Sequence, residues 1–179
     1  MKAMKIMATA ACCVFAFAAL ASEEKPAADS TVDAKSAAKA EKSENLPKVK
    51  FVDGWTEDYE GALKLAAASK KPIFLDFTGS DWCGWCMLMD RKVFAKGEWK
   101  KWAAKNVVCV KLDFPQSVKQ TDALKAQNRR LMDRFGIRGF PTFVVLSPDG
   151  EKKLGQFGCP GRGVTPEQFI KTTASAIGK

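Results

Sequence analysis

Three mainly apolar runs occur in the part of the chain that follows residue 70. They span residues 72–77, 107–112 and 142–146. Runs of this length with β-branched side chains predict strands of a sheet that is covered on both faces. A further strand over residues 154–157 is expected to pair back antiparallel, because the turn signal at residues 147–150 separates it from the third run.

Apolar residues beside these strands recur at the spacing of helices. The first predicted helix follows a turn and N-cap at residues 53–56 and places Tyr59, Leu63, Ala66 and Ala67 on one face. The second begins near Cys83, is interrupted near residues 96–97 and resumes with Trp99, Trp102 and Ala103. The third spans residues 119–135 before a C-cap at Gly136, and the fourth begins at Pro166. This order of elements predicts the α/β class, with a mixed central β-sheet flanked by helices on both faces.

The N-terminal segment has the pattern of a secretory signal peptide. Lys2 and Lys5 precede an almost continuous apolar stretch, and residues 19–21 form a small-x-small cleavage site. The apolar core is short for a membrane span. We therefore expect residues 1–21 to be removed and the protein to be exported to the periplasm; an uncleaved segment would instead tie it to the membrane. A lipoprotein anchored at Cys12 is the alternative, although residues 9–11 match a lipobox poorly.

Residues 22–47 consist mainly of Ala, Lys, Glu and Ser. Such a segment buries too little apolar surface to offset the entropy of ordering it, which predicts a flexible linker. A transient helix is the alternative for a sequence rich in Ala, Lys and Glu. The folded domain is expected to span residues 48–179, a length sufficient for one well-buried core.

The distribution of charge and the absence of histidine exclude several kinds of functional site. The formal net charge is +9 at pH 7, but the basic residues are spread along the chain and form no stripe with aromatic side chains. We therefore expect no nucleic-acid partner. The chain has no histidine, which excludes His-based catalysis and the usual zinc sites that contain histidine.

The candidate chemistry lies in the sequence Trp82-Cys83-Gly84-Trp85-Cys86, where a predicted strand leads into a predicted helix. Two cysteines at this spacing can form a small disulfide and exchange it with another one. A structural disulfide and half of a metal site are the alternatives. A four-cysteine zinc site would need a second close pair, whereas Cys109 and Cys159 each stand alone, and we do not expect them to pair.

A second motif, at residues 136–142, leads into the third strand: Gly-Ile-Arg-Gly-Phe-Pro-Thr. Together with the strand at residues 74–77 and the Cys-Gly-Trp-Cys motif, it resembles the thioredoxin superfamily, in particular exported bacterial members. The resemblance covers most of residues 48–179 and implies a thioredoxin fold. The chain departs from cytosolic thioredoxin in having Gly-Trp between the cysteines and one extra residue between Asp76 and Cys83.

The expected roles of the cysteines follow from their place at the start of a helix. The free N–H groups and dipole of a helix N-terminus stabilise a thiolate, which makes Cys83 the candidate nucleophile. Cys86, one turn deeper, is expected to resolve the mixed disulfide. The resemblance implies that Asp76 is a buried proton acceptor for Cys86 and that Lys111 lies near it. The alternative is that Asp76 is a solvated residue at a strand end.

The resemblance also implies a cis peptide bond between Phe140 and Pro141, beside the cysteines, although an ordinary trans proline could equally open a strand. Trp82, Trp85 and Phe140 would then form an apolar rim that suits an extended polypeptide. Packing in the core is the alternative, and it is stronger for Trp82 than for Trp85, which lies between the cysteines.

The sequence therefore predicts an exported protein-disulfide oxidoreductase that works as a reductase through Cys83 and Cys86, needs no cofactor and acts as a monomer. Its expected partners are disulfide-containing or unfolded exported proteins, and a reductase in an oxidising compartment would need a membrane electron donor. Isomerase and oxidase activity use the same residues. Two other classes stay open: a Cu(I)-binding module that uses both cysteines with Met87 or Met89, and a non-catalytic adaptor with a structural disulfide.

Overall fold

A computed structural model of the protein describes residues 48–178. The predicted signal peptide and linker lie outside these residues. The elements are β1 (Trp55–Thr56), α1 (Tyr59–Ser69), β2 (Ile73–Thr78), α2 (Gly84–Met89), a π-helical turn (Asp90–Phe94), α3 (Gly97–Asn106), β3 (Val108–Asp113), α4 (Asp122–Phe135), β4 (Thr142–Leu146), β5 (Lys153–Gly158) and α5 (Pro166–Ala176).

The strands of residues 48–178 form one five-stranded sheet in the order β1-β3-β2-β4-β5. Strands β1, β3 and β2 run parallel, whereas β4 lies antiparallel to β2 and β5 antiparallel to β4. Strand β2 is central, and all six of its residues are buried. The predicted mixed sheet and the antiparallel return of the last strand are confirmed.

Alternate residues of β2 enter two apolar cores, because successive side chains of a strand point to opposite faces of the sheet. Ile73, Leu75 and Phe77 pack with α1 and α4 on one face. Phe74 lies on the other face, among the π-helical turn, α3 and α5. Its ring centroid is 5.1 Å from that of Trp99. Helices therefore cover both faces, as predicted.

The beginning of the first helix differs from the prediction. Trp55–Thr56 form a short strand beside β3 rather than a helix cap. Asp58 takes the N-cap position, and its Oδ1 accepts a hydrogen bond of 2.9 Å from the Gly61 N–H. Ala67 is exposed, because the buried stripe of this helix runs through Tyr59, Ala62 and Ala66.

Other helix boundaries follow local capping. Helix α4 begins at Asp122 rather than at residue 119, since the Thr121 side chain caps it by accepting from the Leu124 N–H. It ends at Gly136, which adopts φ 62°, a left-handed conformation that glycine tolerates. The predicted interruption near residues 96–97 is confirmed, since α3 begins at Gly97 after the π-helical turn.

The topology brings the two sequence motifs to the same end of the sheet. Strand β2 ends at Thr78 and leads through residues 79–83 into α2. Strand β4 begins directly after Pro141 and pairs with β2, so that Thr142 lies opposite Phe77. None of the helices within residues 48–178 is both long and apolar enough to cross a membrane.

Candidate active site

Cys83 and Cys86 are joined by a disulfide at the start of α2, with their Cα atoms 5.2 Å apart. Cys83 is the N-cap residue, and its Sγ accepts a hydrogen bond of 3.2 Å from the Cys86 N–H. Both residues are buried, with exposed fractions of 7% for Cys83 and 2% for Cys86. One of the backbone donors that a helix leaves free at its N-terminus is therefore directed at the first sulfur.

Trp82 is exposed over 41% of its surface, so the alternative of core packing for this side chain is wrong. Its indole lies directly on the backbone of Gly79, where an added Cβ would be 2.5 Å from a ring atom. The indole N–H donates to the Phe114 carbonyl oxygen over 2.8 Å. The ring meets Phe140 edge-on, with their centroids 5.7 Å apart. Trp82 is therefore fixed at the surface beside the disulfide.

The segment before Trp82 is tied to the segment that follows β3. The Ser80 N–H and hydroxyl both donate to the carboxylate of Asp113, over 2.9 and 2.6 Å. The carboxylate of Asp81 accepts from the backbone N–H groups of Gln116 and Ser117. These backbone hydrogen bonds lower the pKa of Asp81. The carboxylates of Asp113 and Asp81 therefore hold the segment before Trp82 against the segment that follows β3.

Trp85 lies between the cysteines and is 45% exposed. The guanidinium carbon of Arg162, from the segment between β5 and α5, lies 5.8 Å from the centroid of its ring. The Lys92 ammonium donates to the Arg162 carbonyl oxygen over 3.0 Å. The two tryptophans of the motif therefore have different surroundings, an aromatic one for Trp82 and a cationic one for Trp85.

The peptide bond between Phe140 and Pro141 is cis, as the resemblance implied. The Phe140 ring is partly buried and also contacts Phe114, with their centroids 5.2 Å apart. Trp82, Phe114 and Phe140 thus form one aromatic group beside the second motif.

Asp76 is 2% exposed, so it is not a solvated residue at a strand end. Its Oδ1 has no hydrogen-bond partner among residues 48–178. Burial raises the pKa of this carboxyl to about 8, since desolvation penalises the charged form. The charge of Lys111 opposes this rise in the pKa, while Asp90 and Asp113 add to it.

Lys111 is the register partner of Asp76 on the neighbouring strand, so the two side chains share one face of the sheet. Its Nζ lies 3.6 Å from an oxygen of Asp90 and 5.9 Å from the centroid of the Trp55 ring. The lysine is therefore near the buried carboxylate, as the resemblance implied, and also forms an ion pair with Asp90 at the start of the π-helical turn.

The other two described cysteines are free thiols. Cys109 is buried in β3, and burial together with the negative charge of Asp76 raises the pKa of its thiol. Cys159 is partly buried beyond β5. Within residues 48–178, no group of three or more His, Cys, Asp or Glu side chains lies close enough together to hold a metal ion.

Sequence reasoning missed three residues that surround the predicted site. Asp90 follows Cys86 by one helical turn, a spacing that could have placed it on the same helix face. Phe114 lies two residues after the predicted strand that carries Lys111 and could have been suspected on that ground. Nothing in the sequence indicates that Arg162 reaches Trp85, because this depends on the path of a loop.

Comparison with known proteins agrees with this geometry. A family model described as thioredoxin-like matches residues 54–148. The disulfide bond reductase DsbH of Chlamydia pneumoniae is 35% identical over 117 residues, which are 65% of this chain and 70% of that protein. The thioredoxin-related protein DsbJ of the same organism is 30% identical over 106 residues, 58% of this chain but only 30% of that protein.

A solved structure described as DsbH oxidoreductase superposes with a TM-score of 0.64 at 30% sequence identity. It covers 79% of this chain, and the match spans 98% of that structure. The fold and the disulfide at the helix start together define a thiol–disulfide oxidoreductase with a thioredoxin fold. The chain belongs to the thioredoxin-like family. The predictions of fold and enzyme class are confirmed.

The buried carboxyl of Asp76 should make the stability of the protein depend on pH. The folded pKa of Asp76, about 8, lies above its ordinary value of 3.8. The folded state therefore binds more protons between these values, and the free energy of unfolding falls as the pH rises through that window. Asp76→Asn should remove this fall and stabilise the oxidised protein at pH 7 by about 4 kcal/mol at most. Urea denaturation at several pH values between about 4 and 8 measures the effect.

The matched control is Asp133→Asn on α4, where the side chain is exposed. This variant should keep the decline in stability of the wild type. An Asp76→Asn protein that loses stability with rising pH as steeply as the wild type would contradict the raised pKa.

Proposed function

We propose that this protein reduces disulfides in exported proteins, with Cys83 as the nucleophile and Cys86 as the resolving thiol. The observation that carries the proposal is the hydrogen bond of 3.2 Å from the Cys86 N–H to the Cys83 sulfur. A backbone donor at this position favours the thiolate form of Cys83 once the disulfide is reduced. The similarity to a protein named disulfide bond reductase supports the reductive direction.

The reaction takes place in two exchange steps. The Cys83 thiolate attacks one sulfur of the substrate disulfide, forms a mixed disulfide and releases the other substrate sulfur as a thiolate, which takes up a proton. The Cys86 thiol loses its proton and attacks the Cys83 sulfur, which breaks the bond between Cys83 and the substrate. The second substrate sulfur leaves as a thiolate and takes up a proton. Two electrons have then passed from the protein to the substrate, and the protein carries the Cys83–Cys86 disulfide.

Asp76 is the proposed proton acceptor for Cys86 during the second step. It is buried, and a pKa near 8 allows the carboxyl to exchange a proton close to neutral pH. Lys111 supports this role by opposing the rise in that pKa. Its ion pair with Asp90 limits this influence by drawing the ammonium toward a second carboxylate.

We assign substrate contact to Trp82, Trp85, Phe140 and Pro141. Both tryptophans are exposed over more than two fifths of their surface. The Phe140–Pro141 bond lies directly before β4, which pairs with the strand that leads to the cysteines. Exposed aromatic side chains beside a disulfide favour an extended or unfolded polypeptide, which presents both apolar side chains and free main-chain groups.

The proposed partners are inferred from the oxidising compartment to which the protein is exported. A reductase in an oxidising compartment must be reduced again, and we propose a membrane protein as its electron donor. The thiol:disulfide interchange protein DsbD of Pseudomonas fluorescens is 29% identical over 99 residues, which are 55% of this chain but only 15% of that protein, and its name describes the same kind of exchange. We further propose that the protein acts as a monomer and binds no nucleic acid.

Export itself rests on the N-terminal sequence. We propose that residues 1–21 are a signal peptide, that residues 22–47 tether the domain as a linker, and that residues 48–179 form the catalytic domain. The basic residues before an apolar core and the small residues at positions 19 and 21 support the first of these assignments.

The order of the two steps gives a prediction about trapped intermediates. Cys86→Ser should accumulate mixed disulfides between Cys83 and substrate proteins, because the resolving thiol is missing. Cys83→Ser should form none and should lose turnover. Non-reducing gel electrophoresis of affinity-purified variants from periplasmic extracts, with mass spectrometry of the linked peptides, measures this outcome.

Cys109→Ser is the matched control, because it removes a buried free thiol outside the motif, and it should neither trap substrate nor lose insulin reduction. Asp76→Asn should form mixed disulfides that last longer than those of the wild type but still resolve, and it should reduce insulin more slowly than the wild type near neutral pH. Trapping by Cys83→Ser to the same extent as by Cys86→Ser would reverse the assignment of the two thiols.

The signal-peptide assignment predicts the N-terminus of the exported protein. Cleavage after Ala21 should leave Ser22 as the first residue, with no lipid attached. Intact-mass measurement of the protein purified from the periplasm tests this. A mass that includes residues 1–21, or a diacylglycerol adduct on Cys12, would contradict the assignment.

A further inference from the structure

Arg162 lies against the disulfide motif although it is distant from it in sequence. Its guanidinium carbon is 5.8 Å from the centroid of the Trp85 ring, within the range of a cation–π contact. Trp85 separates the two cysteines, so a substrate cysteine that approaches Cys83 must come close to this pair.

The position of Arg162 is held by contacts on both sides. The Lys92 ammonium, from the π-helical turn that continues α2, donates to the Arg162 carbonyl oxygen over 3.0 Å. Two residues further on, Val164 is 5% exposed and packs in the core beneath α5. The segment that carries Arg162 is thereby attached to the same helical unit as the cysteines.

The guanidinium keeps its hydrogen-bonding groups available. The side chain is exposed, and none of the ion pairs within residues 48–178 involves Arg162. A cation–π contact uses the positive charge of the guanidinium, and the N–H groups can still donate to a carboxylate. Arg162 therefore has the chemistry to bind one acidic side chain without breaking an existing ion pair.

A cleft adjoins this pair on the protein surface. It has a volume of about 230 Å³ and is lined by Gly84, Trp85, Leu88 and Arg162. Gly84 directly follows Cys83 in the chain, so the cleft begins next to the reactive position. At the residue before Cys83, Trp82 contacts the aromatic ring of Phe140 and, through its N–H, the backbone of Phe114. The surroundings of the disulfide thus combine an aromatic side and a cationic side.

We infer that Arg162 determines substrate specificity by favouring polypeptides with an Asp or Glu next to the disulfide cysteine. This inference rests on the proposed reductase function and names the substrate class for it. The acidic side chain enters the cleft beside Trp85 and pairs with the guanidinium edge while Cys83 attacks the neighbouring sulfur. A basic side chain at the same position meets a like charge and is disfavoured.

Two matched peptides test the inference. Each contains one intramolecular disulfide, with Glu on both sides of one cysteine in the first peptide and Lys at the same places in the second. The reduced full-length mature protein is mixed with each peptide, and the second-order rate constant for oxidation of the protein is followed by tryptophan fluorescence. The ratio of the two rate constants is the readout, because any change in the reactivity of the Cys83 thiolate affects both peptides alike.

The wild type should reduce the Glu peptide faster. Arg162→Ala should lower the ratio by about threefold, the scale of a single exposed ion pair. Arg162→Lys should keep most of the preference, and Arg162→Glu should reverse it. Raising the ionic strength to about 0.5 M should weaken the preference of the wild type far more than that of Arg162→Ala, because salt screens exposed charges.

Arg130→Ala is the matched control, since Arg130 is exposed on α4, a helix on the opposite face of the sheet from the cysteines, and its loss changes the net charge equally. This variant should keep the wild-type ratio. An Arg162→Ala protein that slows toward both peptides equally would show that Arg162 acts only on Trp85 or on the thiolate, and would overturn the specificity role. Failure of the wild type to reduce either peptide would instead overturn the proposed function, and this inference with it.

Discussion

The hydrogen bond from the Cys86 N–H to the Cys83 sulfur is the interaction on which the site depends. It exists because a fully buried strand ends at Thr78 and a helix begins at Gly84, so the intervening residues must present Cys83 at the helix start. The same bond makes the two sulfurs unequal. One receives a backbone donor at the N-cap, while the other lies inside the first turn and near the core. A site with two chemically distinct thiols follows directly from the position of a helix boundary.

The buried carboxylate is the second constraint, and it works against stability. Asp76 enters a core that is otherwise built from aromatic and aliphatic side chains, and its Oδ1 lacks a partner among the described residues. Burial without full compensation is unfavourable for an ionised group. Lys111 offsets this only in part: its positive charge lowers the pKa of the carboxyl, but its ion pair is with Asp90. The protein therefore retains at its centre a group that costs stability near neutral pH and that can move a proton there, which is the balance expected of a functional residue.

Strands and helix ends were predicted correctly from the sequence where a local pattern was strong. The runs at residues 107–112 and 142–146 predicted β3 and β4 to within a residue, and Gly136 and Pro166 marked helix ends correctly. Prediction failed where tertiary pairing decided the local structure. Residues 55–56 carry no strand pattern, yet they pair with β3 and displace the expected cap to Asp58.

The site shows the same division between local and long-range information. Both cysteines, Asp76 and the Phe140–Pro141 bond could be named in advance from two motifs and a family resemblance. The surroundings of the tryptophans could not, because they depend on loops. Trp82 remains at the surface because Gly79 leaves room for its ring and the Phe114 carbonyl binds its N–H. Trp85 meets Arg162 because Lys92 holds a distant loop in place. Neither contact has a local sequence signal.

The most direct test of this account is the pH dependence with which each thiol of the reduced protein reacts. Brief alkylation with iodoacetamide from about pH 4 to pH 10, followed by peptide mass spectrometry, gives separate profiles for Cys83 and Cys86. If the helix start stabilises the Cys83 thiolate, its half-maximal reactivity should fall below the ordinary range for a cysteine, about pH 8.5, and Cys86 should react much more slowly at every neutral or acidic pH. Equal rates for the two thiols, or faster reaction of Cys86, would contradict the central assignment.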